Sequence, residues 1–229
     1  MIPTPSTSHL SAMDFESVYE PAEDTFILLD ALEQDAALLK GSRVCLEVGS
    51  GSGCVSAFLG AICGASSALY LCTDLNPHAA RCTLLTGRTN AVPLNPLLTD
   101  LTGSLLPRLQ SAVDVLVFNP PYVETDDVEA EQAQQGGVIE RAWAGGAGGM
   151  RVTNRLLEQV DTLLSPRGVF YLVAVPENKP LEIIEQMRAR GLHGEITLKR
   201  RAGREHLHVL RFSRPEHPEI PANAPTPAS

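Results

Sequence analysis

Metal-ligand spacing is missing from this 229-residue chain. Its five cysteines stand at positions 45, 54, 63, 72 and 82, and no two form a C-x-x-C pair. Zinc sites draw on ligands roughly two to four residues apart, so no metal is expected. The start, Met1-Ile2-Pro3-Thr4-Pro5-Ser6, lacks a charged stretch followed by an apolar one, so no secretory leader is read there. An odd number of thiols without a leader reads as reduced cysteine, hence a cytoplasmic protein, with room for a nuclear pool. Apolar runs of about 18 residues are also missing, which excludes a helical membrane span. Basic residues are scarce, 18 Lys and Arg against 27 Asp and Glu, for a net charge of -9. That argues against clamping duplex DNA by bulk charge and leaves room for a local basic patch.

What is present is a full core: 44% of residues are hydrophobic. Residues 1–17 are rich in Ser, Thr and Pro and read as a flexible segment; 214–229 read as a Pro-rich disordered tail. One domain, 18–213, lies between. Helical spacing runs from Pro21 to Leu39, Cys54 to Ile62, Pro77 to Asn90, Leu156 to Leu164 and Leu181 to Arg190. Strands are expected at Val44–Val48, Ala68–Thr73, Pro96–Thr99, Val113–Phe118 and Val169–Val175, with a turn over Ser165–Gly168. Two more, 195–200 and 206–212, flank Ala202-Gly203 as a hairpin. This alternation predicts an α/β fold, a seven-stranded, mostly parallel sheet closed by an antiparallel C-terminal hairpin. Ligands of such sheets bind beyond the carboxyl ends of the strands. The nine-residue cysteine rhythm follows the placement of strands and helices and has no functional account.

The first strand runs into Glu47-Val48-Gly49-Ser50-Gly51-Ser52-Gly53. Its glycines allow a sharp turn and close backbone approach. A dinucleotide loop is spaced G-x-G-x-x-G, whereas here the third glycine comes one residue early and a Glu precedes the first. That favours a positively charged group over a pyrophosphate. The second strand ends in Asp74-Leu75, where a carboxylate suits ribose hydroxyls or caps the next helix. The third ends in Asp100-Leu101, placed either for an adenine amine or for a turn. Three acids at three successive strand ends describe a nucleoside site with a positively charged neighbour. The fourth strand ends in Asn119-Pro120-Pro121-Tyr122. Two prolines fix an extended backbone and remove two donors. The Asn119 side-chain oxygen and the Pro120 carbonyl then form paired acceptors for a planar amino group, and Tyr122 offers it a flat face.

With these residues the chain resembles class I S-adenosylmethionine-dependent methyltransferases. The branch is the HemK-like family that methylates the glutamine side-chain amide of peptide-release factors. The resemblance rests on Tyr19-Glu20-Pro21-Ala22-Glu23-Asp24-Thr25, Leu46 to Gly53, Cys72 to Pro77, Thr99-Asp100-Leu101, Phe118 to Tyr122 and Ala142-Trp143-Ala144-Gly145-Gly146. The first and last of these are similar to eukaryotic and archaeal members in particular. The resemblance implies S-adenosylmethionine as cofactor and S-adenosylhomocysteine as product. Thr25, Glu47 and Gly49, with Gly51 and Gly53, would hold its methionine part and Asp74 with Leu75 its ribose. Asp100 and Leu101 would frame the adenine. Asn119 would serve both donor and acceptor, with Tyr19 and Tyr122 on the substrate. Ala147-Gly148-Gly149 departs from the family, which more often has a polar residue before the glycine.

The expected acceptor is the Gly-Gly-Gln glutamine of a class I release factor, presented with its GTPase partner. Alternatives are a histone-tail lysine, or adenine N6 of nucleic acid, for which DNA would require base flipping and a phosphate-binding surface. An acidic run, Glu124, Asp126, Asp127, Glu129 and Glu131, follows the catalytic turn and reads as a solvated loop or as a lid for a basic peptide. Lys199-Arg200-Arg201 with Arg204 is a solvated hairpin tip or an RNA contact. The resemblance also implies a partner, the small zinc-binding activator subunit with which eukaryotic members of the family pair. The apolar third strand, Leu94 to Leu98, would be a sheet edge open to strand addition, or one blunted by Pro96.

Overall fold

The computed structural model describes residues 1–122, 149–203 and 205–215. The acidic run, the Trp143 segment, Arg204 and the tail from 216 lie outside the described residues. The elements are α1 (Ala12–Phe15), α2 (Glu23–Gln34), α3 (Ala36–Leu39), β1 (Val44–Val48), α4 (Cys54–Cys63), β2 (Leu69–Asp74) and α5 (Pro77–Thr89). Then come β3 (Leu94–Leu98), α6 (Leu106–Leu109), β4 (Val113–Phe118), α7 (Arg151–Leu163), β5 (Leu164–Ala174), α8 (Pro180–Ala189), β6 (His193–Ala202) and β7 (Glu205–Ser213). The seven strands form one sheet in the order β3-β2-β1-β4-β5-β7-β6. The first five pair in parallel; β7 runs antiparallel to both β5 and β6.

The two-residue period of a strand divides the core between the sheet's faces. Cys45, Val115, Val117, Val169, Tyr171 and Val173 face α2 and α4, while Leu46, Val48, Leu116, Phe118, Phe170 and Leu172 face α7 and α8. The cysteine rhythm resolves here. Cys45, Cys54, Cys63 and Cys72 fill one layer, Cys82 packs under the N-terminal segment, and all five are buried free thiols. No metal-ligating cluster occurs among the described residues, and no helix among them is long and apolar enough to cross a membrane.

Two expectations are corrected. The apolar spacing from Pro21 to Leu39 covers two helices, because the chain breaks at Asp35 (φ -96°, ψ 14°). That break aims the Asp35 carboxylate at Tyr171 Oη and Arg211 Nη1, each at 2.7 Å. Ser165–Gly168 is a bulge inside β5 rather than a turn before it: Val113 pairs with Leu164 and Val115 with Val169. Residues 1–17 also make contacts with the domain. Ser6 exchanges two hydrogen bonds with Asn90 (2.8 and 2.9 Å), Asp14 pairs with Arg81 at 2.9 Å, and Asn76 Nδ2 donates to the Ser17 carbonyl at 2.7 Å. Buried Leu10 packs in one cluster with Val18 and with Ala79 and Cys82 of α5.

Candidate active site

Beyond the carboxyl ends of β1 to β4 lies a cavity of about 620 Å³, within the range for a drug-sized ligand. Its wall brings together Tyr19, Thr25, Glu47, Gly49, Gly51, Asp74, Leu75, Asp100, Leu101 and Asn119 to Tyr122, from five separate stretches of chain. Gly53 alone of the expected set is off the wall. Its φ of +79° and a Thr83 Cα that would stand 2.7 Å from an added Cβ show a different task, close packing of α4 on α5.

The loop after β1 spends its amides on the protein. Gly49 N–H and Ser50 N–H donate to the Thr73 carbonyl (2.7 and 3.1 Å), Gly51 N–H to Asp74 Oδ2 (3.0 Å), and Gly53 N–H to the Ser50 carbonyl (2.7 Å). A pyrophosphate cradle needs such groups free, so this loop does not present one. Glu47, 5% exposed, sits beside it and accepts from Ser56 N–H at 2.9 Å and from Ser56 Oγ. Burial pushes its carboxyl up to about 8, against the two Ser56 bonds that lower it, and the Asp74 charge adds to the rise. A cation is what such a carboxyl lacks.

Asp74 takes Asn76 N–H on Oδ1 at 2.9 Å and Gly51 N–H on Oδ2. Burial raises its pKa while these backbone bonds lower it. The helix cap is Asn76, whose Oδ1 accepts from His78 N–H at 2.9 Å, so Asp74 is free to face the cavity. Leu75 projects into the opening at 57% exposure; Leu101 is buried in the left-handed region at φ +48°, a conformation non-glycine residues adopt at a cost. Asp100 is paired with Arg155 of α7 at 2.5 Å, a partner the sequence did not suggest.

At the end of β4, Asn119 Nδ2 donates to Asp24 Oδ2 at 3.1 Å and Tyr122 Oη donates to the same oxygen at 3.2 Å. Tyr19 Oη donates to Asp24 Oδ1 at 3.2 Å. Burial first, and Asp24 second, raise the pKa of both tyrosines, so both keep their protons. Asn119 Oδ1 is buried without a partner among the described residues. The turn is clamped from behind: Asn178 Nδ2 donates to the Tyr122 carbonyl at 3.2 Å, and that oxygen would lie 1.9 Å from a Cβ on Gly149. Asp24, Arg155, Asn178, Glu205 and the Ser17-Val18 wall escaped the sequence reading. Asp24 stood inside a motif already singled out; the others come from distant segments with no local signal.

An apolar slot at Leu75 and Leu101, carboxylates at Asp74 and Asp100, and a cation-seeking Glu47 fit a nucleoside with a cationic amino-acid tail. Sheet order and this site define a class I S-adenosylmethionine-dependent methyltransferase. No protein-family model matches the chain. It is 56% identical over 213 residues to methyltransferase HEMK2 of Mus musculus, covering 93% of this chain and 97% of that protein. It is 43% identical over 227 residues to the eRF1 methyltransferase catalytic subunit mtq2 of Schizosaccharomyces pombe, covering 93% and 96%. Among solved structures it is similar to a chain of the E. cuniculi Mtq2–Trm112 complex, responsible for methylating the eRF1 translation termination factor. There the TM-score is 0.64 at 28% identity, over 86% of this chain and 99% of that one. The chain belongs to the HemK-like family, in the branch that holds HEMK2 and Mtq2.

Proposed function

We propose that the protein methylates the side-chain amide nitrogen of the Gly-Gly-Gln glutamine in a class I release factor. The carrying observation is the unpartnered, buried Asn119 Oδ1 at the edge of the nucleoside cavity. S-adenosylmethionine supplies an electrophilic methyl group on a sulfonium. Thr25, Glu47 and Gly49 hold its amino-acid end, Glu47 taking the ammonium. Asp74 takes the ribose, and Leu75, Asp100 and Leu101 hold the adenine. Asp100 would share its carboxylate between that amine and Arg155.

An amide nitrogen is a poor nucleophile because its lone pair is delocalised. Asn119 Oδ1 and the Pro120 carbonyl accept its two N–H groups and stabilise positive charge as it develops. Tyr122, and Tyr19 across Asp24, flank the amide. Such alignment supplies about 7–11 kcal/mol of barrier reduction. No His or Lys lines the described wall to act as a base for a lysine ammonium, although carboxylates do. The amide needs none before transfer, and the N–H proton it sheds once methylated passes to solvent. The net charge of -9 weighs against DNA.

The partner reading is a heterodimer with a small zinc-binding activator. It is supported by the E. cuniculi complex and by β3, an open edge with Leu98 61% exposed. The release factor would arrive with its GTPase partner, in the cytoplasm. The test is Asn119→Ala, with turnover on the release factor and donor affinity measured separately. Turnover should fall about a hundredfold or more while donor affinity weakens less than about tenfold. Near-parental turnover would refute the assignment.

A further inference from the structure

We infer that Asp24 is a positioning residue of the acceptor site: it holds the Asn119 amide in the orientation that turns Oδ1 toward the incoming nitrogen. The inference rests on the glutamine reading and assigns that site a residue beyond the Asn119–Tyr122 turn.

Asp24 is the second residue of α2 and only 4% exposed. Among the described residues no Lys, Arg or His forms an ion pair with it. A buried carboxylate without a cation has to be satisfied by hydrogen bonds. Donors reach it from four residues. Oδ1 accepts from Thr25 N–H (2.6 Å), Thr25 Oγ1 (3.3 Å) and Tyr19 Oη (3.2 Å). Oδ2 accepts from Asn119 Nδ2 (3.1 Å) and Tyr122 Oη (3.2 Å). The N-terminus of α2 adds its positive dipole end. Asp24 is therefore an acceptor on both oxygens.

The consequence falls on Asn119. A side-chain amide has two faces of opposite polarity, an oxygen that accepts and an NH2 that donates. Facing a carboxylate, only the NH2 is tolerated; the flipped amide would set oxygen against oxygen. With Nδ2 committed to Asp24, Oδ1 must point the other way, and there it is buried with no partner. An acceptor amide N–H supplies the missing bond. Without Asp24 the Asn119 amide can turn over and present a donor to a donor. The same Oδ2 also fixes Tyr122, so one carboxylate sets both the acceptor atom and the ring beside it.

The test inverts the bond. In Asp24→Asn the new amide keeps its oxygen on Thr25 and Tyr19 and places NH2 toward Asn119, where two NH2 groups clash. In Asn119→Asp two carboxylates face each other. In the double variant the amide at position 24 donates to the carboxylate at position 119, whose second oxygen remains a free acceptor in the original place. The full chain, alone and co-expressed with an activator subunit, is assayed on a release factor, with donor affinity measured by calorimetry. Asp24→Asn should lower kcat about a hundredfold with donor Kd changed less than about fivefold. The double variant should be at least about tenfold faster than either single variant, a recovery that a merely structural Asp24 does not give. A kcat within about threefold of the parent for Asp24→Asn, or a double variant no faster than the faster single one, overturns the inference. If Asp24→Asn loses its cooperative melt, the double variant is compared with Asn119→Asp alone, and no gain overturns the inference. A parent chain inactive on the release factor overturns the glutamine reading and this inference with it, whereas an active parent with insensitive variants overturns this inference alone.

Discussion

Glu47 is a carboxyl whose charge depends on what binds beside it. Burial lifts its pKa from 4.5 to about 8, so the donor-free protein holds it protonated at neutral pH. Its contribution to stability is present in full below the unfolded value and is lost as pH rises through the folded one. A cationic amino group next to it reverses that preference, so binding releases a proton. Donor affinity should strengthen as pH rises from about 5 to 8, by at most about tenfold per unit, and level off above. Glu47→Gln should flatten this slope in a calorimetric titration; a flat profile in the parent would contradict it. Residues at strand ends were legible in the sequence because strand position alone carries their meaning, as with Glu47, Asp74 and Asn119. Asp24 was not: its role lies in bonds to Tyr19 and to Asn119 and Tyr122, far along the chain. Gly53 was legible as a glycine of the loop, but its reason is packing against Thr83.

At the scale of elements, β3 carries the sharpest consequence. Thr99 N–H donates to the Asp74 carbonyl at 2.9 Å. Counting back by two along a parallel ladder turns Asn95 and Leu97 N–H toward β2 as well and leaves Pro96 and Leu98 facing outward. Pro96 therefore breaks no bond inside the sheet; it removes one donor from the outer edge and, among the described residues, leaves carbonyls and the Leu98 N–H without a strand partner there. The edge is shortened rather than closed. Leu98→Glu, a charge on a strand end already 61% exposed, should abolish co-purification with an activator subunit while shifting the melting temperature of the isolated chain by less than about 3 °C. Retained heterodimer would contradict this placement of the interface. Strand existence was readable from short apolar runs. The Asp35 break and the β5 bulge were not, because periodicity continues through both and only tertiary partners, Arg211 for one and the β4 register for the other, select them.

At the scale of the molecule, one sheet end gathers the cavity's charged side chains among the described residues. Part of the excess of acidic residues is local: Asp24, Glu47, Asp74, Asp100 and Glu205 all line one cavity. Ser17, Val18 and Tyr19, ahead of α2, line that cavity from the side. The central claim is that this cavity serves one amide nitrogen. It is tested most directly by labelled methyl transfer to a release factor, with the label located by peptide mass analysis. The expected result is one methyl group on the Gly-Gly-Gln glutamine and none when that glutamine is replaced. Label on a lysine, on adenine or on no residue of the release factor, with or without an activator subunit, would contradict it.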